Sequence, residues 1–238
     1  MKPLLTAYWN NLVMLNFEID PAALQPYLPA YTEIDLYNNK CLISLVAFQF
    51  SNAKLLQLPI PFYQDFSQIN LRFYVNRRFK NEIRKGVVFI KEIAEGKLLK
   101  AGAALLYNEH YFNIPTRQSF ENNNSYLNTN YEWNFKNEWN YIQSIANRER
   151  TAPTANSIEA FITDRYWGYT KISKTKTAEF KVEHPLWNIH TLKSFELHCN
   201  SQEIYGEQLH DALSKKPLCA FMVDGSFVKV HNKTLCAN

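Results

Sequence analysis

Between Gln68 and Val75 apolar and polar side chains alternate without a break. Ile69, Leu71, Phe73 and Val75 fall on one face of an extended strand, and Gln68, Asn70, Arg72 and Tyr74 fall on the other. Residues 41–50 instead form a continuous apolar run of strand length, the pattern of a strand buried on both faces. Residues 86–94, with β-branched Val87, Val88, Ile90 and Ile93, predict a further strand. The same reading gives strands at 107–114, on either side of an Asn123-Asn124 turn, at 165–172, at 178–183 and at 192–199. The pair 218–223 and 227–230 flanks Asp224-Gly225, a strong short hairpin signal.

Helical signals are few. Asp20 as N-cap with Pro21 at the first helical position predicts a short helix that ends by Pro29. Ser157 caps a short helix to Thr163, residues 98–106 have helical spacing despite Gly102, and 204–213 predict a last one. Strands outnumber helices and do not alternate with them as βαβ units. The expected class is α+β, β-rich: an antiparallel cone- or barrel-like sheet with a few short helices, as one domain over 1–238.

Composition fits this and narrows the chemistry. Across 238 residues, 46% are hydrophobic and 15% aromatic, enough for a core without disulfides or metal. The net charge of +4 is modest, and the densest basic stretch, Arg77-Arg78-Phe79-Lys80 with Arg84-Lys85, reads as a solvated hairpin end. No nucleic-acid partner is expected. Cys41, Cys199, Cys219 and Cys236 form no CxxC pair, no signal peptide opens the chain, and no apolar run reaches membrane-spanning length. A soluble, cytoplasmic protein without a membrane partner is the expectation. Cys41, at the start of a buried strand, reads as a small core residue.

Glycines at 86, 96, 102, 168, 206 and 225 are too far apart for a dinucleotide fingerprint or a P-loop. The six histidines lack the spacing that converges metal ligands, and Ser226 does not sit in a nucleophile elbow. What remains is polar groups set among aromatic strands. The Gln68, Asn70, Arg72, Tyr74 face is either the solvent side of a sheet or the lining of a polar cavity. Glu109-His110, Asp164-Arg165-Tyr166 and Glu183-His184 are three more polar groups beside aromatics. Converging in an apolar cavity, such groups would make a small-molecule site.

Several segments carry a resemblance: Tyr8-Trp9, Ile19-Asp20-Pro21 to Leu28-Pro29, Ser67-Gln68-Ile69-Asn70-Leu71-Arg72-Phe73-Tyr74-Val75 and Lys100-Ala101-Gly102-Ala103-Ala104. Others are Thr163-Asp164-Arg165-Tyr166-Trp167-Gly168, Val182-Glu183-His184-Pro185-Leu186-Trp187 and Asp224-Gly225-Ser226-Phe227. In this order the chain resembles the uncharacterised YqjF-like bacterial family of the acetoacetate decarboxylase-like superfamily. The resemblance implies a cone- or barrel-like sheet around a central cavity. The superfamily's enzymes use a lysine, activated by a second cation, to form a Schiff base with a β-keto acid. Anchored on Ala101-Gly102, that lysine pair falls on His110 and Tyr111, which cannot form an imine, and the superfamily's earlier acidic residue falls on Gln68. Lys97 and Lys100 precede the helix. Acetoacetate decarboxylation is therefore not expected.

Two readings follow. In the first the protein binds a small acidic or carbonyl-bearing molecule in a central cavity. Gln68, Asn70, Arg72, Tyr74, Arg165 and Tyr166 are then its ligand-binding residues, and either arginine pairs the acid. In the second it is an enzyme on a small carbonyl or carboxylate substrate, with His110 as general acid/base and Glu109 beside it. Neither needs a cofactor or a metal. The superfamily's enzymes assemble into oligomers, so the resemblance leaves a homo-oligomer open, although no sequence feature predicts a self-interface.

Overall fold

A computed structural model describes residues 2–60, 65–96 and 111–236. The helix expected over 98–106, with Lys97, Lys100, Glu109 and His110, lies outside the described residues. In chain order the strands before the first α-helix are β1 (Leu5–Glu18), β2 (Glu33–Ile34), β3 (Leu42–Leu55), β4 (Leu58–Pro59), β5 (Phe66–Phe79), β6 (Glu82–Ala94), β7 (Tyr111–Asn113), β8 (Thr116–Asn122), β9 (Tyr126–Phe135) and β10 (Glu138–Thr151). Then come α1 (Ile158–Thr163), β11 (Trp167–Lys171), β12 (Thr177–Glu183), β13 (Ile189–His198), α2 (Ser201–Tyr205), α3 (Glu207–Leu213), β14 (Cys219–Val230) and β15 (Thr234–Leu235).

The strands join one large curved sheet in the order β15-β12-β11-β6-β5-β3-β1-β14-β13-β10-β9-β8. β12 also pairs β14, through Val182 opposite Val230, so the path from β12 round to β14 returns on itself. Most pairings are antiparallel, as expected, but β6 pairs both β11 and β7 in parallel.

Alternation places the core. In β1, β3 and β5 both faces are buried, and the two parities feed two clusters. Val13, Leu15, Ile43, Leu45, Ile69, Leu71 and Phe73 pack in one, which β9, β10, α2 and α3 cover with Tyr131, Trp133, Ile204 and Leu209. Leu12, Met14, Val46, Phe48, Phe50 and Tyr74 belong to the other, inside the closed path with Ile162 of α1 and Trp187. Cys41 is a buried free thiol, as expected, its pKa pushed up to about 11 by burial and by Asp20.

Short-range signals mostly hold. Asp20 accepts from the Ala22 N–H and starts a 3-10 turn at Pro21, and Ser157 accepts from the Ala160 N–H at the start of α1. Three expectations are corrected. The Asp224-Gly225 pair is no hairpin: β14 runs straight through it, paired along its length with β1. Gly225 has φ +85°, and a Cβ there would lie 1.9 Å from the Trp9 carbonyl oxygen, so glycine serves close backbone approach rather than a turn. The 204–213 helix is two short ones, broken at Gly206, where φ is +87°. The basic 77–85 stretch does end a hairpin, but it is not all solvated. Arg77 is buried, 2.8 Å from Glu179, and Arg84, also 2.8 Å from Glu179, lies between the Phe79 and Trp167 rings.

Candidate functional site

The closed path surrounds a cavity of about 1000 Å³, whose lining runs from buried Arg72 to exposed Leu56 and Leu58. Its polar wall comes from β5 and β6. Gln68, Asn70 and Arg72 point to this side because they alternate with the core residues Ile69 and Leu71. Residues directly opposite share a face, and they are Ala94, Glu92 and Phe89 in turn. The step from Glu92 to Phe89 is possible only because the register shifts between Leu71 and Arg72, leaving Ile90 as an extra residue in β6. Below that bulge Val87 and Phe89 face the cavity, and above it Glu92 and Ala94 do.

The charges on this wall are unevenly matched. Arg72 is 7% exposed, and among the described residues its hydrogen-bond contact is a 3.9 Å approach to the Met14 sulfur. Among the described residues its Nε has no partner, and no carboxylate pairs with it. Arg165 lines the same cavity, but its Nη1 donates to Asp35 at 2.6 Å and its Nε to the Phe161 carbonyl at 2.6 Å. One guanidinium is thus compensated and the other is not. Asn70 Oδ1 and Trp9 Nε1, also on the lining, likewise lack partners among the described residues.

Glu92 accepts from Gln68 Nε2 at 2.6 Å. Burial pushes its pKa up to about 7, against the opposing pull of that hydrogen bond and of the Lys233 charge. Lys233 donates to Thr170 Oγ1 at 3.0 Å, and burial pulls its pKa down to about 8 while Glu92 acts the other way. His184 stacks on Trp187, with ring centroids 4.2 Å apart. Its ring nitrogens meet the carbonyls of Pro185 and Arg165, which favours the cation, but burial outweighs them and its pKa falls, with Arg72 adding to the fall.

Of the residues picked from sequence, Gln68, Asn70, Arg72 and Arg165 meet on the cavity lining. Tyr74 is on the same strand face but packs away in the apolar cluster, its hydroxyl bonded to Ser44 Oγ, which donates to Asn16 Oδ1 at 2.5 Å. Tyr166 is not on the lining and meets the site through its ring contact with His184, at 4.9 Å. Tyr111 lines the cavity and donates to the Ala94 carbonyl at 3.3 Å. Glu109 and His110 lie outside the described residues. Sequence reasoning missed Trp9 and Trp187 as lining and Glu92 and Lys233 as cavity charges. Alternation within β6 would have pointed to Glu92 only if the Ile90 bulge were known. Among the described residues no group of side chains could hold a metal ion, and no helix is long and apolar enough to cross a membrane.

Residues 6–226 match the DUF2071 family, described as an uncharacterized conserved protein. The chain belongs to the DUF2071 family. Its DUF2071 relative YqjF of Bacillus subtilis (strain 168), an uncharacterized protein, is 29% identical over 181 residues, covering 74% of this chain and 72% of YqjF. The DUF2071 match includes Arg72, Glu92 and His184; Lys233 lies beyond it. Solved structures show the fold this DUF2071 chain shares. An acetoacetate decarboxylase-like enzyme from Sphingomonas wittichii RW1 superposes with a TM-score of 0.66 at 13% identity, covering all of this chain and 94% of that one. The enduracididine biosynthesis enzyme MppR complexed with pyruvate gives 0.65 at 10% identity, covering 99% and 91%. The fold is acetoacetate decarboxylase-like.

Proposed function

We propose that this protein binds a small acidic molecule in its central cavity, with Arg72 pairing the acid group. The observation that carries the reading is the buried Arg72 guanidinium without an anionic partner among the described residues. A buried cation unmatched by the protein is costly, and an incoming carboxylate offsets that cost with a charge-assisted, two-pronged hydrogen bond. Arg165, already matched by Asp35, would help shape the wall. The pyruvate complex of MppR supports the same use of this fold. Calorimetric titration with small carboxylates and oxo acids tests it. The wild-type protein should bind at least one of them, and Arg72→Gln should weaken that binding about 10–100-fold. Binding that ignores the substitution, or no binding of any acid, rejects the proposal.

One observation favours a second reading, an enzyme acting on a small carbonyl or carboxylate substrate. A carboxyl that changes charge at about pH 7, as Glu92 does, suits proton transfer at neutral pH. Glu92 would then exchange the proton while Arg72 holds the acid, and His110 remains the sequence-based candidate for the same role. Turnover of oxo acids, lost in Glu92→Gln or His110→Ala but with acid binding kept, would favour catalysis and say which residue is responsible.

A further inference from the structure

The polar groups occupy only part of the cavity surface. Trp9, Phe48, Phe50 and Phe66 form a continuous aromatic wall, with successive ring centroids 5.2, 5.1 and 4.4 Å apart, and Trp187 joins it 6.2 Å from Trp9. The registers set this wall beside the polar row: Phe48 lies opposite Gln68, and Trp9 lies opposite Phe50. The charged end is tied to it as well, since His184 stacks on Trp187 and feels the Arg72 charge.

Size argues the same way. At the roughly 30 Å³ that each water takes in the liquid, a cavity of about 1000 Å³ matches some thirty water-sized volumes. A three-carbon oxo acid has six non-hydrogen atoms and would leave most of the aromatic wall facing water. An apolar body on the same acid removes that contact, and the hydrophobic effect rewards it for every group buried. Of the buried cations on the lining, Arg72 is the one that lacks a charged or oxygen partner among the described residues, because Arg165 has Asp35; the less buried Lys233 has Thr170 beside Glu92. That arrangement calls for one acid group rather than several.

We propose that the ligand is an amphiphilic monocarboxylic acid, with its carboxylate on Arg72 and a medium-length alkyl or aryl body against the wall of Trp9, Phe48, Phe50 and Trp187. This rests on the binding reading above and narrows it to a ligand class. The Trp9 indole N–H, which has no acceptor among the described residues, would suit a ligand oxygen along that body.

Calorimetric titration of the full-length wild-type protein with acetate, pyruvate, butanoate, hexanoate, octanoate and 4-phenylbutanoate tests it, with 1-octanol as the uncharged control. Affinity should rise about three- to four-fold for each added methylene up to octanoate. 4-Phenylbutanoate should bind more tightly than butanoate, and pyruvate should bind weakly. Arg72→Gln should weaken octanoate at least tenfold and leave octanol unchanged within about twofold. If pyruvate or acetate binds as tightly as octanoate, the amphiphilic class is overturned while the binding proposal stands. If octanoate and octanol bind alike and both ignore Arg72→Gln, the carboxylate assignment is overturned, and the binding proposal with it. The chain-length series uses only the wild-type protein, so a poorly folding Arg72 variant cannot hide the answer.

Discussion

Glu92 keeps its proton into the neutral range because burial penalises the carboxylate more than Gln68 and Lys233 stabilise it. The unfolded chain releases that proton at the ordinary value of 4.5. Between these values the folded state holds the extra proton, so this residue's contribution to stability is highest below pH 4.5 and is lost as pH rises through about 7. The loss is on the order of 3 kcal/mol. Lys233 works in the opposite direction at higher pH. Its folded value of about 8 lies below its ordinary 10.5, so stability recovers as pH rises between them. Glu92→Gln should therefore flatten the decline between pH 5 and pH 7.5, read by denaturant melts at both values, and should be the more stable protein at pH 7.5. An unchanged slope would show that Glu92 titrates normally. At this scale Arg72 was legible in the sequence, because uninterrupted alternation in β5 fixes its face. Lys233 was not, because it lies between β14 and β15 and no periodicity marks the side it takes.

Single positions decide whether the elements are read correctly. Cap residues were legible at Asp20 and Ser157 because a side-chain acceptor beside the first turn has one local job. Asp224-Gly225 misled because a positive-φ glycine suits both a hairpin turn and a strand pressed against its neighbour. Only pairing with β1, more than two hundred residues away in sequence, tells them apart. Gly225→Ala distinguishes the two experimentally. Its Cβ would meet the Trp9 carbonyl in an unfavourable backbone region, so the substitution should cost about 2–4 kcal/mol in equilibrium unfolding. A tolerant turn position would lose at most about 1 kcal/mol. β1 itself gave no clean sequence signal. Asn10 and Asn11 interrupt its alternation, and Asn11 takes φ +52° where the β1–β3 register shifts.

Across the whole molecule, the closed path depends on contacts between segments far apart in sequence, and for that reason composition alone could suggest a curled sheet but not its seam. β12 carries much of it. It pairs β11, β14 and β15, and its Glu179 reaches across β11 to Arg77 of β5 and Arg84 of β6. Glu179 is 6% exposed, so removing its charge leaves two guanidiniums facing each other in a poorly solvated place. Glu179→Leu should lower stability by about 3–5 kcal/mol, whereas Glu82→Ala, at the exposed partner of Arg84, should change it by less than about 1 kcal/mol. Equal effects in paired chemical denaturation would mean that the buried network does not hold the seam.

The extra residue at Ile90 acts like a frameshift in β6. Next to it Val87 and Phe89 share the cavity face upstream, and Glu92 and Ala94 share it downstream. Loss of that one residue would remove the bulge and restore a regular ladder. With β5 held in place, Phe89 would stay opposite Arg72, Lys91 opposite Leu71 and Glu92 opposite Asn70, so Glu92 would keep its place inside. In a chain that diverges by insertion and deletion, this is the point in β6 at which loss of one residue leaves interior and exterior as they are. The same loss at a regular position would exchange them.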